Sequence, residues 1–368
     1  MASPSDLEQL ILELINRARW EPEAEAGRLG IGLNDGLGGG AIGSGPKQPL
    51  AFDSDLIDAA RAHSDWMLAT DSFSHTGAGG SSAGDRMEDA GYDFSGSWSW
   101  GENIAWSGTT GSLNRAATAA RLHDNLFRSP GHRENLMENG FREIGLGERE
   151  GQFTADGTTY NALMLTEKFA RSGSAHFLTG VVHSDGDGDG FYDPGDGRGG
   201  VSVSVGGAGG STWESGGYSV AIPGSGGIEV SFSGGGLSAT VIAELGGTNA
   251  KLDILGGDTV ATTTGVELVA GLSDVRHLGL FGGSSAGDAG ANLMTGAGGA
   301  DALAGGGGDD TLEGGAGADT LEGGAGDDVL RGGTGQDRAV FALAGTAYAV
   351  AGLGGALELS GEGTDRVE

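Results

Sequence analysis

From Gly287 to Val340 the chain repeats itself every nine residues: GDAGANLMT, GAGGADALA, GGGGDDTLE, GGAGADTLE, GGAGDDVLR and GGTGQDRAV. The sixth position runs Asn292, Asp301, Asp310, Asp319, Asp328, Asp337, and the eighth runs Met294, Leu303, Leu312, Leu321, Leu330, Ala339. Few folds satisfy a carboxylate and an apolar side chain locked to one period. Glycines supply the turns with φ > 0, the aspartates supply oxygen ligands, and the eighth residues fill a thin core between two sheets. If each unit is half a coil, residues two units apart stack at the strand spacing of about 4.8 Å. Asp301, Asp319 and Asp337 then line one edge, and Asp310 and Asp328 the other. A disordered acidic linker is the competing reading for so Gly-rich a segment, but linkers do not keep leucine and aspartate in phase.

The pattern resembles the RTX calcium-binding repeats, GGxGxDxUx, which implies a parallel β-roll holding several Ca²⁺ ions. In that family the block commonly precedes an uncleaved C-terminal signal for type I secretion. The closing AVFALAGTAYAVAGLGGALELSGEGTDRVE resembles such a tail, so residues 339–368 are expected to carry a signal read by a type I exporter. The opening MASPSDLEQL has neither a basic start nor an apolar stretch, so no cleaved leader is expected there. Together these place the protein outside the cell.

Charge points the same way. Fifty-one acidic against 20 basic residues give a net charge of −31, which repels nucleic acid and anionic lipid and favours bound cations. Nucleic-acid binding is excluded. There is no cysteine, so neither disulfides nor thiolate metal sites exist. No apolar run approaches the ~18 residues of a membrane-spanning helix.

Residues 172–281 read as short strands, such as Val201–Val205, Tyr218–Ile222 and Ile228–Phe232, between Gly and Ser turns, and predict an antiparallel β-sandwich. Within them, DGDGDGFYDPGD places Asp185, Asp187, Asp189, Phe191, Asp193 and Asp196 at positions 1, 3, 5, 7, 9 and 12 of a calcium loop. Flanking strands argue against a helix-loop-helix EF-hand. The loop resembles that of Sdr-type B repeats in bacterial surface proteins, although Asp196 is one methylene shorter than the usual Glu. A solvated acidic turn is the alternative.

Residues 1–171 read as mixed α and β. Ser5 to Glu8 form a capping box before a helix ending near Trp20, Ser54 can cap a second helix, and a third covers about Leu113 to Arg128. Strands are expected at Glu143–Glu148 and Thr159–Phe169. The segments LINRAR (14–19), HSDWM (63–67), FSH ending at His75, GENIA (101–105) and SPGHRENLM (129–137) resemble the CAP superfamily, whose name covers cysteine-rich secretory proteins, antigen 5 and pathogenesis-related 1. That likeness implies a three-layer α-β-α sandwich with a groove lined by two histidines and two glutamates. By motif His75, Glu102 and His132 carry over. Ser129 stands where the second glutamate would fall, which puts acid-base chemistry in doubt. Two imidazoles and a carboxylate still suffice for an open site holding Zn²⁺ or another divalent metal. A hydrogen-bond network pinning loops is the structural alternative. His63 shares a helix face with Leu56, Ala60 and Met67 and reads as a core residue; His123, beside Asp124, reads as part of a solvated face. Trp98, Trp100 and Trp106 flank Glu102 and either wall the groove or pack inside.

The expected architecture is therefore multidomain: a CAP-type α-β-α sandwich (1–171), an antiparallel β-sandwich with a calcium loop (172–281), a parallel RTX β-roll (282–338) and the tail (339–368). The expected function is that of a secreted calcium-binding protein whose groove binds lipid, peptide or cell-wall material. The alternatives are a metal-dependent hydrolase using His75, His132 and Glu102, and a structural or adhesive surface protein.

Overall fold

The computed structural model describes residues 2–341, 349–353, 356–360 and 364–367. Of the tail in which an export signal is expected, residues 342–348, 354–355, 361–363 and 368 lie outside the described residues. The chain divides into two compact units. One comprises residues 1–179 with 191–199 and 213–219, and the other comprises 180–190, 200–212 and 220–368.

The first unit begins with α1 (Asp6–Trp20), whose Ser5 and Glu8 form the expected capping box. Next come α2 (Pro22–Arg28), β1 (Ala51–Phe52) and α3 (Ser54–Ala69). The cap of α3 is Asp53 rather than Ser54, because the Asp53 carboxylate takes the backbone N–H groups of both Asp55 and Leu56. Then follow α4 (Ala83–Asp89), β2 (Ser99–Thr109), α5 (Arg115–Arg128), α6 (Pro130–Met137), β3 (Glu143–Ala155) and β4 (Thr158–Arg171). The four strands form one sheet in the order β1-β3-β4-β2.

Ala162, Leu163, Met164 and Leu165 are all fully buried on β4. Since successive side chains point to opposite faces, both faces of the sheet are covered. On one, α3 lies flat against β3: a Cβ on Gly145 or Gly147 would fall 2.0 Å or 2.3 Å from the backbone of Leu56 or Ala60, so only glycine admits the helix there. Met67, Ile104, Phe153 and Met164 form part of the core on this face. Asn103, whose side chain alternates to the opposite face from Glu102, reaches α6 through a hydrogen bond from Asn135.

The second unit is β-rich, and its strands belong to two long sheets. Antiparallel pairs dominate at first: Ser202–Val205 with Gly226–Gly234, that strand with Leu237–Leu245, and Leu237–Leu245 with Val266–Ala270. The strands expected near 201, 218 and 228 are present. An antiparallel sandwich through residue 281 does not describe the whole segment, however. Thr259–Thr262 already pairs in parallel with Asp274–His277, and Val266–Ala270 with Ser284–Ala286. These coils lack the nonapeptide signature, so periodicity gave no sign of them.

From there the roll proceeds with the expected offset of two repeat units. Leu303 pairs with Leu321 on one parallel ladder and Leu312 with Leu330 on the other. Met294, Leu303, Leu312, Leu321 and Leu330 are each no more than 2% exposed. This is the thin core the eighth position predicted, too narrow for anything but one apolar residue per half-coil.

Candidate functional site

The repeat aspartates sit at the turns entering each strand and form two rows. Asp310 Oδ1 accepts the backbone N–H of Asn292 at 2.9 Å, Asp319 Oδ1 that of Asp301 at 2.9 Å, Asp328 Oδ1 that of Asp310 at 2.9 Å, and Asp337 Oδ1 that of Asp319 at 3.1 Å. Each carboxylate thus staples the coil before it. Asp310 and Asp319 are each only 1% exposed, yet their second oxygens, Oδ2, find no hydrogen-bond partner. Burial pushes the pKa of Asp310 up to about 6 and raises that of Asp319 too, outweighing the stapling bonds. A buried, unpaired carboxylate oxygen is costly. A hard cation bound there, its shell completed by further oxygens, removes the cost. The donor chemistry of the row therefore fits calcium.

In the aspartate-rich loop, Asp185, Asp187 and Asp189 bring carboxylate oxygens within 4.8 Å of one another. Asp185 Oδ1 accepts N–H groups from Gly188 and Gly190, both at 3.1 Å, which folds the chain around the carboxylate. Strands flank the loop at Phe177–His183 and Ser202–Val205, as the sequence indicated. Phe191, Asp193 and Asp196 are counted with the first unit. There Arg17 lies over the Phe191 ring at 5.2 Å, and Asp196 N–H donates to Asp193 O at 3.0 Å.

The third candidate site is an open depression of about 460 Å³ in the first unit, lined by His75, Thr76, Ser82, Ala83, Trp100, Gly101, Glu102 and Asn135. Glu102 is its charged centre. On the sheet it pairs in register with Lys168 of β4, so the two side chains meet on the α3 face. Lys168 Nζ donates to Glu102 Oε2, Arg86 Nη2 donates to the same oxygen at 2.7 Å, and His75 Nδ1 lies 2.8 Å from Oε1. Burial alone would raise the carboxyl's pKa, but Lys168 first, then Arg86 and His75, hold it below the ordinary value. Glu102 is locked as an anion.

His75 is exposed, with its other nitrogen directed away from that bond, whereas His132 is half-buried and its Nδ1 has no partner. Burial, and to a lesser degree the charge of His75, lower the His132 pKa. Trp100 and Trp98 are 40% and 52% exposed, so Trp100 does wall the depression; Trp106 instead packs partly buried beside Phe153 at 4.7 Å. His63 is buried as expected, 3.0 Å from Ser74 O and stacked on Trp66. His123 is not on a solvated face: it is fully buried, with Nε2 3.1 Å from Glu25 Oε1, a partner on a distant helix that helical spacing could not reveal.

Sequence reasoning missed Arg86 and Lys168, the two cations on Glu102. Lys168 had a signal, since it interrupts the apolar strand ALMLTEKFA. It also missed Asn103 and Glu167, which pair one step along the register on the other face at 2.9 Å.

Residues 12–152 match the cysteine-rich secretory protein family, CAP, and residues 285–312 and 304–339 match the RTX calcium-binding nonapeptide repeat. The chain carries a CAP domain and RTX repeats. Neither family match reaches the middle segment, so the Sdr-type likeness of the aspartate loop gains no support. Among solved structures, an extracellular protein containing an SCP domain from Bacillus anthracis is similar, at 27% identity over 34% of this chain and 35% of that one, with a TM-score of 0.25. An outer surface protein from Borrelia burgdorferi is similar at 15% identity over 47% of this chain and 97% of that one, with a TM-score of 0.30. The match thus spans about a third of the Bacillus chain. No curated protein matches the chain at a significant level.

Proposed function

We propose that this is an extracellular, calcium-stabilised protein whose CAP domain binds a lipid, peptide or cell-wall ligand without turning it over. The observation that carries the second part is the state of Glu102. A general base must be free to take a proton at a pKa near the working pH; Glu102 is held anionic by Lys168 and Arg86 and is already engaged by His75. Ser129, where the family's second glutamate would fall, heads α6 and offers no carboxylate.

Zinc fits poorly. His75 and His132 supply two imidazoles, but Glu102, the carboxylate that His75 contacts, is committed to two cations, which leaves the set one short of the three protein ligands an open zinc site uses. Metal-dependent hydrolysis has no donor set among these residues, whereas an exposed Trp100 beside a fixed, ion-paired polar cluster suits an amphipathic ligand.

Incubation with fatty acid, peptide and peptidoglycan fragments, read by tryptophan fluorescence and mass spectrometry, tests this. A bound ligand recovered intact, with binding weakened by Trp100→Ala, is the expected result. Product that forms and disappears in Glu102→Gln would overturn it.

Export by a type I route belongs to the same reading. Calcium-poor cytoplasm leaves the repeats extended for passage, and external calcium folds them. Truncation of residues 339–368 should retain the protein inside cells bearing a matching exporter; undiminished export would contradict the assignment.

A further inference from the structure

The two rows of repeat carboxylates do not begin alike. Two repeat units before Asp301 lies position 283, where the row would call for another aspartate; the chain has Gly283. The vacated space is filled by an imidazole. A Cβ on Gly283 would lie 2.7 Å from His277 Cε1, and His277 Nδ1 sits 2.6 Å from Asp301 Oδ1. That same oxygen takes the Gly283 N–H at 2.9 Å, as every rung takes the N–H of the coil before it. Asp301 Oδ2, unlike its counterparts in Asp310 and Asp319, also has a donor, the N–H of Ala297 at 3.3 Å.

The ring's other nitrogen is equally committed. His277 Nε2 lies 2.7 Å from Ser285 Oγ, and that oxygen accepts the N–H of Val266 at 3.1 Å. With a neutral ring the chain of donors closes completely: Val266 N–H to Ser285 Oγ, Ser285 O–H to Nε2, and Nδ1–H to Asp301. In an open cleft, Ser285, His277 and Asp301 would read as nucleophile, base and orienting acid. Here the three are 3%, 4% and 2% exposed, out of reach of any substrate, so their role is structural.

The other row is headed by an amide. Asn292 stands where an aspartate would, and its Nδ2 donates to Ser273 O at 2.7 Å while Oδ1 accepts the Asp288 N–H at 2.9 Å. Each row therefore starts at a nitrogen donor supplied by the chain, and leaves no bare oxygen at its first rung.

We propose that His277 and Asn292 are end caps of the cation rows, so that Asp301, though it fits the repeat motif, holds no calcium and ion binding begins at Asp310 and Asp319. This rests on the repeats binding calcium at all, and the caps set where the row starts. Without His277, Asp301 would be a buried carboxylate held only by the Gly283 and Ala297 N–H groups, and Gly283 in the coil before it offers no carboxylate to share an ion.

Calcium bound per full-length chain, measured by equilibrium dialysis, separates the two levels. Asp319→Asn should lower the count by about one ion and Asp301→Asn should leave it unchanged. Loss of an ion in Asp301→Asn would overturn the cap, whereas an unchanged count in Asp319→Asn and Asp310→Asn alike would overturn the calcium assignment beneath it. Because Asp301→Asn could disturb folding, nitrogen-15 NMR of the His277 ring in the calcium-loaded wild type gives a second reading. A neutral ring protonated on Nδ1 and coupled to Asp301 is expected; a ring released from Asp301 would contradict the proposal.

Discussion

The CAP domain and the roll both bury carboxylates, and they neutralise them by opposite means. In the CAP domain Glu102 meets Lys168 and Arg86, Glu8 meets Arg61, and Glu25 meets Arg28 and His123. In the roll, Asp310 and Asp319 accept backbone N–H groups on one oxygen and keep the other bare. The first unit carries its counter-ions covalently. The roll leaves them to the solvent, which makes its folding a function of calcium concentration. A chain with a large acidic excess faces this choice wherever a carboxylate is buried, and the two units resolve it differently.

The largest expected effect breaks the comparison at the ion. Chelating calcium from the full chain should abolish the circular-dichroism signal of the roll and leave the helical signal of the first unit in place, because only the roll loses its neutralising charge. Loss of both signals together would mean that the first unit also depends on the ion.

The next effect breaks it at the side chain. Lys168→Met strands Glu102 beside one cation fewer in a buried setting, and removing one partner of a buried pair costs about 3–5 kcal/mol. The loss should appear in urea denaturation of the first unit's helical signal and be insensitive to calcium. A variant as stable as wild type would show that Arg86 alone neutralises Glu102.

How much of this was legible follows from the range of each interaction. The roll could be read because its contacts recur at a fixed offset of two repeat units, and the period states the register directly. The CAP motifs located His75, Glu102 and His132, but their electrostatics depend on Arg86 from α4 and Lys168 from β4, two segments without a motif. His123 was misassigned because Glu25, its partner, lies on another helix. Parallel pairing that begins ahead of the repeats was not legible because the coils from Thr259 onward pair in parallel without the nonapeptide glycines and aspartates. His277 and Ser285 fall in those coils, where no periodic signal draws the eye.

The smallest effect sharpens the contrast from within the first unit. Glu167, bonded to Asn103, and Glu143 are its exceptions, and the latter is a buried carboxyl that accepts the Tyr92 hydroxyl at 2.6 Å. Burial raises its pKa to about 7, with the Asp53 charge adding to the rise and the Tyr92 bond opposing it. A folded-state pKa above the unfolded value means the native state holds the extra proton. This stabilisation is full below about pH 4.5 and is lost as pH rises through about 7. Thermal melts of the first unit's helical signal should therefore fall between pH 5 and pH 8, and Glu143→Gln should remove part of that slope, the rest coming from Glu167, which burial pushes up to about 8. An unchanged slope in the variant would move the effect to another group.

The central claim, that the roll is completed by an ion and the CAP domain by its own side chains, is tested most directly by hydrogen exchange of individual amides in the full chain with and without calcium. The N–H groups of Asn292, Asp301 and Asp319, each bonded to an aspartate one coil on, should lose protection by orders of magnitude when calcium is removed, while Ile104 and Leu165 in the CAP sheet keep theirs. Equal protection of the roll amides in both conditions would contradict the account.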